Sequence, residues 1–173
     1  LCAAAEIVLA VEAAAKGTGS PDAVATTGTC RVHPGAINSV PSQVTLLVDV
    51  RDVRLEPRDA AVTAIRAAVE EISARRGVAA RVETISVDPP ATMAPAVVAA
   101  AERACGRLGL PVRKMVSRAY HDSLFMAHAF PTGMIFIPCR GGVSHRPDEY
   151  ATPDAIRRGV EVLALTLADL SLS

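Results

Sequence analysis

The sequence has no tryptophan, two tyrosines and three phenylalanines in 173 residues. Its apolar half is built mostly of Ala, Val, Leu and Ile, enough to bury a core, which argues against a disordered chain. It has no excess of charge either: Lys and Arg total 18, as do Asp and Glu. There is thus no global field to attract nucleic acid or an anionic membrane surface. No apolar run reaches the roughly 18 residues of a membrane-spanning helix. Cys2, Cys30, Cys105 and Cys139 show no CxxC spacing. That scatter argues against a disulfide framework or a zinc knuckle; the four are expected to be small buried hydrophobes in a reducing setting. A phosphate-binding loop, a dinucleotide glycine motif, a GxSxG elbow and an HExxH pair are all absent.

The opening LCAAAEIVLAVEAAAKG has no initiator Met and no positively charged lead-in. It reads as the inside of a helix rather than a signal peptide, so the chain is expected to be a piece of a longer protein. Ala3 to Ala15 are strong helix formers, with Gly17 as a stop. Ala23–Val32 predicts a strand ended by Pro34-Gly35, and Gln43–Arg51 a second one whose Val44, Leu46, Val48 and Val50 share a face. Pro57–Arg75 is predicted helical from the recurrence of Val62, Ile65, Val69 and Ile72, and Ala79–Val87 as a third strand. That order predicts a small α+β sandwich, an antiparallel sheet with helices on one face, over residues 1–88. Asp88-Pro89-Pro90 marks a boundary, since Pro-Pro cannot continue a sheet. Over 89–173 the pattern predicts a helix Ala94–Leu108 stopped by Gly109, a strand Val112–Ser117, a compact segment Tyr120–Ala129, a buried strand Gly133–Pro138 and a last helix capped by Thr152. Alternating helix and buried strand suggests the edge of an α/β sheet.

Three stretches carry candidate chemistry. GMIFIP-CRGGVSH ends an apolar strand in a glycine-rich loop bearing His145, where a neutral imidazole can be a metal ligand or an ordinary loop residue. Asp148 and Glu149 can orient it or its loop. In RAYHDSLFMA, His121 can polarise a carbonyl or hold an anion beside Tyr120, or lie at the surface while Asp122 caps the next helix. In HPGAINSVPSQVTLLVDVR, Asn38 and Arg51 can grip a small carboxylate, or be a satisfied turn amide and an Arg paired with Asp49 or Asp52. His33 and His128 are weaker candidates, His128 being expected to pack.

Together these stretches resemble the C-terminal half of the dinuclear-metal amidohydrolases of the hydantoinase/carbamoylase type, a group acting on N-carbamoyl amino acids, allantoate or ureidoglycolate. HPGAINSVPSQVTLLVDVRD is similar to the substrate-contacting lid segment, and PTGMIFIPCRGGVSHRPDEYA to the stretch with the last metal-binding His. Most of the group has a Gly-Ala-Gly-His-Asp-Ala type sequence where this chain has Arg-Ala-Tyr-His-Asp-Ser, which resembles the plant branch that acts on ureidoglycolate. The resemblance implies a lid and dimerisation domain over 1–88, and over 89–173 the closing piece of an α/β, aminopeptidase-like catalytic domain. It implies His145 as ligand to one of two divalent ions, manganese before zinc, with Asn38 and Arg51 on the substrate carboxylate and Tyr120 and His121 against the substrate, His121 also in a catalytic role. It further implies a homodimer, a ureido carboxylate substrate, and an endoplasmic-reticulum setting if the protein is of the plant type, a cytoplasmic one otherwise. The other metal ligands and the general-base Glu belong upstream, so the isolated piece is expected to be inactive, or to act only in dimerisation or binding.

Overall fold

The structure, a computed structural model, describes residues 1–172. It divides into two compact units, Leu1–Pro90 and the chain from Ala91 onward.

In the first unit, β1 (Val24–His33) and β2 (Gln43–Arg51) form an antiparallel hairpin running from Val24↔Arg51 to His33↔Gln43, with a bulge between Thr27 and Thr29. Alternation places half-buried Val50 and Ala25 towards the helices α1 (Cys2–Gly17) and α2 (Leu55–Arg76). There they meet the buried Val11, Ile65 and Val69. The three- and four-residue spacing seen in the sequence thus marks the face of α2 that is buried, Val62 being only half-buried. Gly77, with φ 62°, ends α2 in the left-handed conformation, its N–H donating to the carbonyls of Ser73 and Ala74. Gly17 is the last residue of α1 rather than a stop beyond it.

The second unit contains α3 (Pro95–Arg107), α4 (Asp122–Ala129) and α5 (Pro153–Ser171). α3 and α5 pack through small or β-branched residues: Ala100, Ala104, Val162 and Thr166 are buried. Segment 133–138 lies against both helices: a Cβ on Gly133 would meet Val97 Cγ1 at 2.7 Å, and one on Gly159 would meet Ile137 Cγ2 at 2.5 Å. Thr152 caps α5 by accepting the Ala155 N–H at 3.2 Å, with Pro153 next in line. A second stripe of α5 (Ile156, Val160, Leu163, Leu167) is apolar and exposed.

The described residues are therefore a mixture of helices with one two-stranded antiparallel sheet. The expected strands Ala79–Val87, Val112–Ser117 and Gly133–Pro138 join no ladder. β-Branched composition favours a strand, but only a neighbouring backbone completes its hydrogen bonds. Segment 79–87 is instead tied to α2 through side chains, Arg66 Nη2 donating to Thr84 Oγ1 at 2.7 Å, with Arg58 Nη1 donating to the Asp88 carbonyl at 2.8 Å just beyond. The cysteines differ from expectation too: Cys2, Cys30 and Cys139 are exposed, Cys105 is half-buried, and all four are free thiols.

Candidate functional site

Asn38 and Arg51 belong to the hairpin of the first unit. Asn38 is exposed in the connection beyond the His33↔Gln43 end, closed by the Ser42 N–H donating to the His33 carbonyl at 3.0 Å. Arg51 is the last residue of β2, its guanidinium 2.6 Å from Asp49 Oδ2. Residues 49 and 51 share a strand face, which brings the two charges together. Asp52 does another job: its Oδ1 accepts the Arg54 N–H at 2.8 Å as α2 begins, and its buried Oδ2 has no partner among the described residues.

Tyr120, His121 and His145 belong to the second unit. A bend at Ala119 brings the chain into α4, where His121 is the N-terminal flanking residue and its carbonyl accepts the Leu124 N–H at 2.9 Å. No side chain caps α4; Asp122 lies inside the first turn, where a carboxylate suits the helix dipole, instead of before it as expected. The half-buried His121 ring has Nε2 2.6 Å from Ser117 Oγ, and lies 5.8 Å from the Phe136 ring. Tyr120 stacks edge-on against Phe125 at 5.7 Å.

His145 is exposed, with φ 58°, a left-handed backbone unusual for a side chain other than glycine. Its N–H donates to Glu149 Oε2 at 2.9 Å, which supports the strained residue, while Asp148 is taken by Arg146 at 2.8 and 2.9 Å. The loop is closed by the Arg140 N–H donating to the Tyr150 carbonyl at 2.8 Å, with the Arg140 guanidinium 4.4 Å above the Tyr150 ring. Gly141 and Gly142, both at positive φ, make its turn.

Among the described residues, no group of three or more His, Cys, Asp or Glu side chains is placed to hold a metal ion. His145 by itself does not fit a two-metal centre, whose ions each need several donors. Two carboxylates that clamp helix pairs are held low. Hydrogen bonds from Arg76 and then Arg75 hold Glu6 down to about 2, and a bond from Arg107 lowers Asp169. His33 and His128 are both exposed, so His128 does not pack as expected. Ser117 and Phe136 escaped the sequence reading; the one available signal was a Ser four residues before a His, and nothing marked Phe136.

Peptidase family M20/M25/M40 matches over residues 6–169. The chain belongs to this family. Within it, the chain is 48% identical over 171 residues to a ureidoglycolate hydrolase of Oryza sativa subsp. japonica, covering 98% of this chain and 35% of that protein. The crystal structure of AtUAH in complex with (S)-hydroxyglycine is similar at a TM-score of 0.95 and 44% identity, over 99% of this chain and 41% of that one. AtUAH in complex with glyoxylate is similar to the same degree. An amidase of the hydantoinase/carbamoylase family from Burkholderia vietnamiensis matches at 34% identity and a TM-score of 0.90, over 95% of this chain and 40% of that one. The chain spans 35% to 41% of the length of these family relatives.

Proposed function

We propose that this chain is part of a metal-dependent amidohydrolase that cleaves the ureido C–N bond of ureidoglycolate. The observation that carries the reading is the 48% identity to the rice ureidoglycolate hydrolase over 98% of the chain. Water adds to the ureido carbonyl, carbon dioxide and ammonia leave, and hydroxyglycine remains. Loss of a second ammonia turns hydroxyglycine into glyoxylate. The two molecules bound to AtUAH are successive products on this route.

Arg51 and Asn38 are proposed to hold the substrate carboxylate, Arg51 by exchanging its exposed Asp49 partner for the ligand. Tyr120 and His121 would lie against the substrate, with His121 donating to the oxygen that becomes negative as water adds. His145 would supply one ligand to one of two divalent ions, manganese before zinc; the described residues do not build the rest of that centre. The unit Leu1–Pro90 is proposed as a lid that also dimerises, and the unit from Ala91 as the closing piece of an α/β catalytic domain. An endoplasmic-reticulum location accompanies the plant-type reading.

The test is a substrate panel on the full-length protein, read as ammonia release. Ureidoglycolate should be turned over faster than allantoate or an N-carbamoyl amino acid; the reverse preference would replace this reading with one of those activities. In the same assay Arg51→Ala should raise KM for ureidoglycolate about 10- to 100-fold, the cost of losing hydrogen bonds to a charged group. His145→Ala should lower the metal content, and unchanged content would remove it as a ligand.

A further inference from the structure

We infer that Ser117 is a positioning residue for His121, fixing which ring nitrogen carries the proton that meets the substrate. The proposal rests on the reading of His121 as a substrate contact.

Ser117 is four residues before His121, and the bend at Ala119 folds the imidazole back onto it. The Oγ–Nε2 separation of 2.6 Å is a short hydrogen bond between two half-buried side chains. Phe136, from segment 133–138, meets the same ring at 5.8 Å with a tilt of 57°. The imidazole thus has a hydroxyl at one nitrogen and a tilted aromatic ring beside it. A neutral imidazole has one N–H and one lone pair, and the partner of one nitrogen decides the state of the other. An oxygen that gains negative charge needs a donor. That donor is Nδ1–H when the Ser117 hydroxyl donates to Nε2. An unconstrained imidazole favours the opposite tautomer, with its proton on Nε2. The 2.6 Å contact accommodates either tautomer, since a hydroxyl both donates and accepts; as proposed, Ser117 donates and so holds the less common form.

The experiment uses the full-length protein labelled with [13Cδ2]histidine, whose carbon shift reports the tautomer; His121→Asn identifies the His121 signal. Wild type and Ser117→Thr should show the Nδ1–H form, and Ser117→Ala should move towards Nε2–H. On ureidoglycolate, Ser117→Ala should lower kcat about five- to tenfold, the loss of one hydrogen bond's worth of orientation, with KM changed less than twofold. Ser117→Thr should recover most of that kcat. A Ser117→Ala protein with an unshifted signal and full kcat overturns the positioning role. A His121→Asn protein with undiminished kcat overturns the reading of His121 itself, and with it the purpose of the Ser117 contact. The tautomer measurement needs no activity, so the two failures are told apart.

Discussion

The two units solve one problem alike and another differently. In each, two arginines close on one carboxylate to clamp a helix pair: Arg75 and Arg76 on Glu6 between α1 and α2, Arg103 and Arg107 on Asp169 between α3 and α5. Their β-patterned segments fare differently. In the first unit, β1 and β2 follow one another across a short connection, so each supplies the other's ladder, whereas segment 79–87, cut off from them by α2, joins none. In the second unit, segments 112–117 and 133–138 are separated by α4 and pair with nothing among the described residues; Met115, Val116 and Phe136 are left exposed. An apolar β pattern therefore becomes a strand only where the chain brings a second backbone to it. The candidate residues follow the same division. Arg51 is set by a regular strand, whereas His121 and His145 are set by individual contacts to Ser117 and Glu149.

If the first unit owes its order to a core under a hairpin, emptying that core should have the largest effect. Ile65→Ala is expected to cost about 2 to 4 kcal/mol in urea unfolding, as a buried large-to-small change. A loss below about 1 kcal/mol would mean that the hairpin does not depend on this cluster. The second unit should be more sensitive to close helix contacts, and its two helical glycines test this against each other. Gly159→Ala should destabilise by about 1 to 2 kcal/mol, because its methyl would sit 2.5 Å from Ile137 Cγ2. Trimming Ile137 to Ala should abolish that penalty. Gly106→Ala, with nothing within 4 Å of the new methyl, should instead stabilise by about 0.5 to 1 kcal/mol.

Thr152→Ala removes the single side-chain cap of α5 and should cost about 1 kcal/mol, with amide exchange rising first in its opening turn. The smallest effect is the pH dependence of the Glu6 clamp. Glu6 titrates near 4.5 when unfolded and near 2 when folded, because Arg76 and then Arg75 bond its carboxylate. Its contribution is complete above pH 4.5 and fades as the pH falls towards 2. The stability difference between wild type and Glu6→Gln should therefore be flat above that range and shrink below it. The pair is exposed, so added salt should reduce the whole difference. A difference that grows on acidification would contradict the clamp.

Much of the architecture was legible in the sequence. The buried face of α2, the second strand Gln43–Arg51 and the Thr152 cap are all short-range features, and each appears in the structure. Legibility failed where the deciding partner was not a neighbour in the pattern. Cys30 and Cys139 are small apolar residues by type yet exposed, because residue type alone does not fix which side of the fold they take. Asp122 has the chemistry of a cap, but the chain enters α4 one residue earlier, leaving Asp122 inside the first turn.

The sequence by itself determined where the helices run, where the hairpin turns and which residues carry donors, acceptors and charge. Period, capping and turn chemistry act over a few residues, so they can be read along the chain. Only the tertiary structure decided that Ser117 and Phe136 hold the His121 ring and that Glu149 rather than Asp148 supports the left-handed His145. It also decided which apolar segments form a ladder and which do not. Such pairings depend on direction and on distances of a few ångströms, and composition and spacing carry neither.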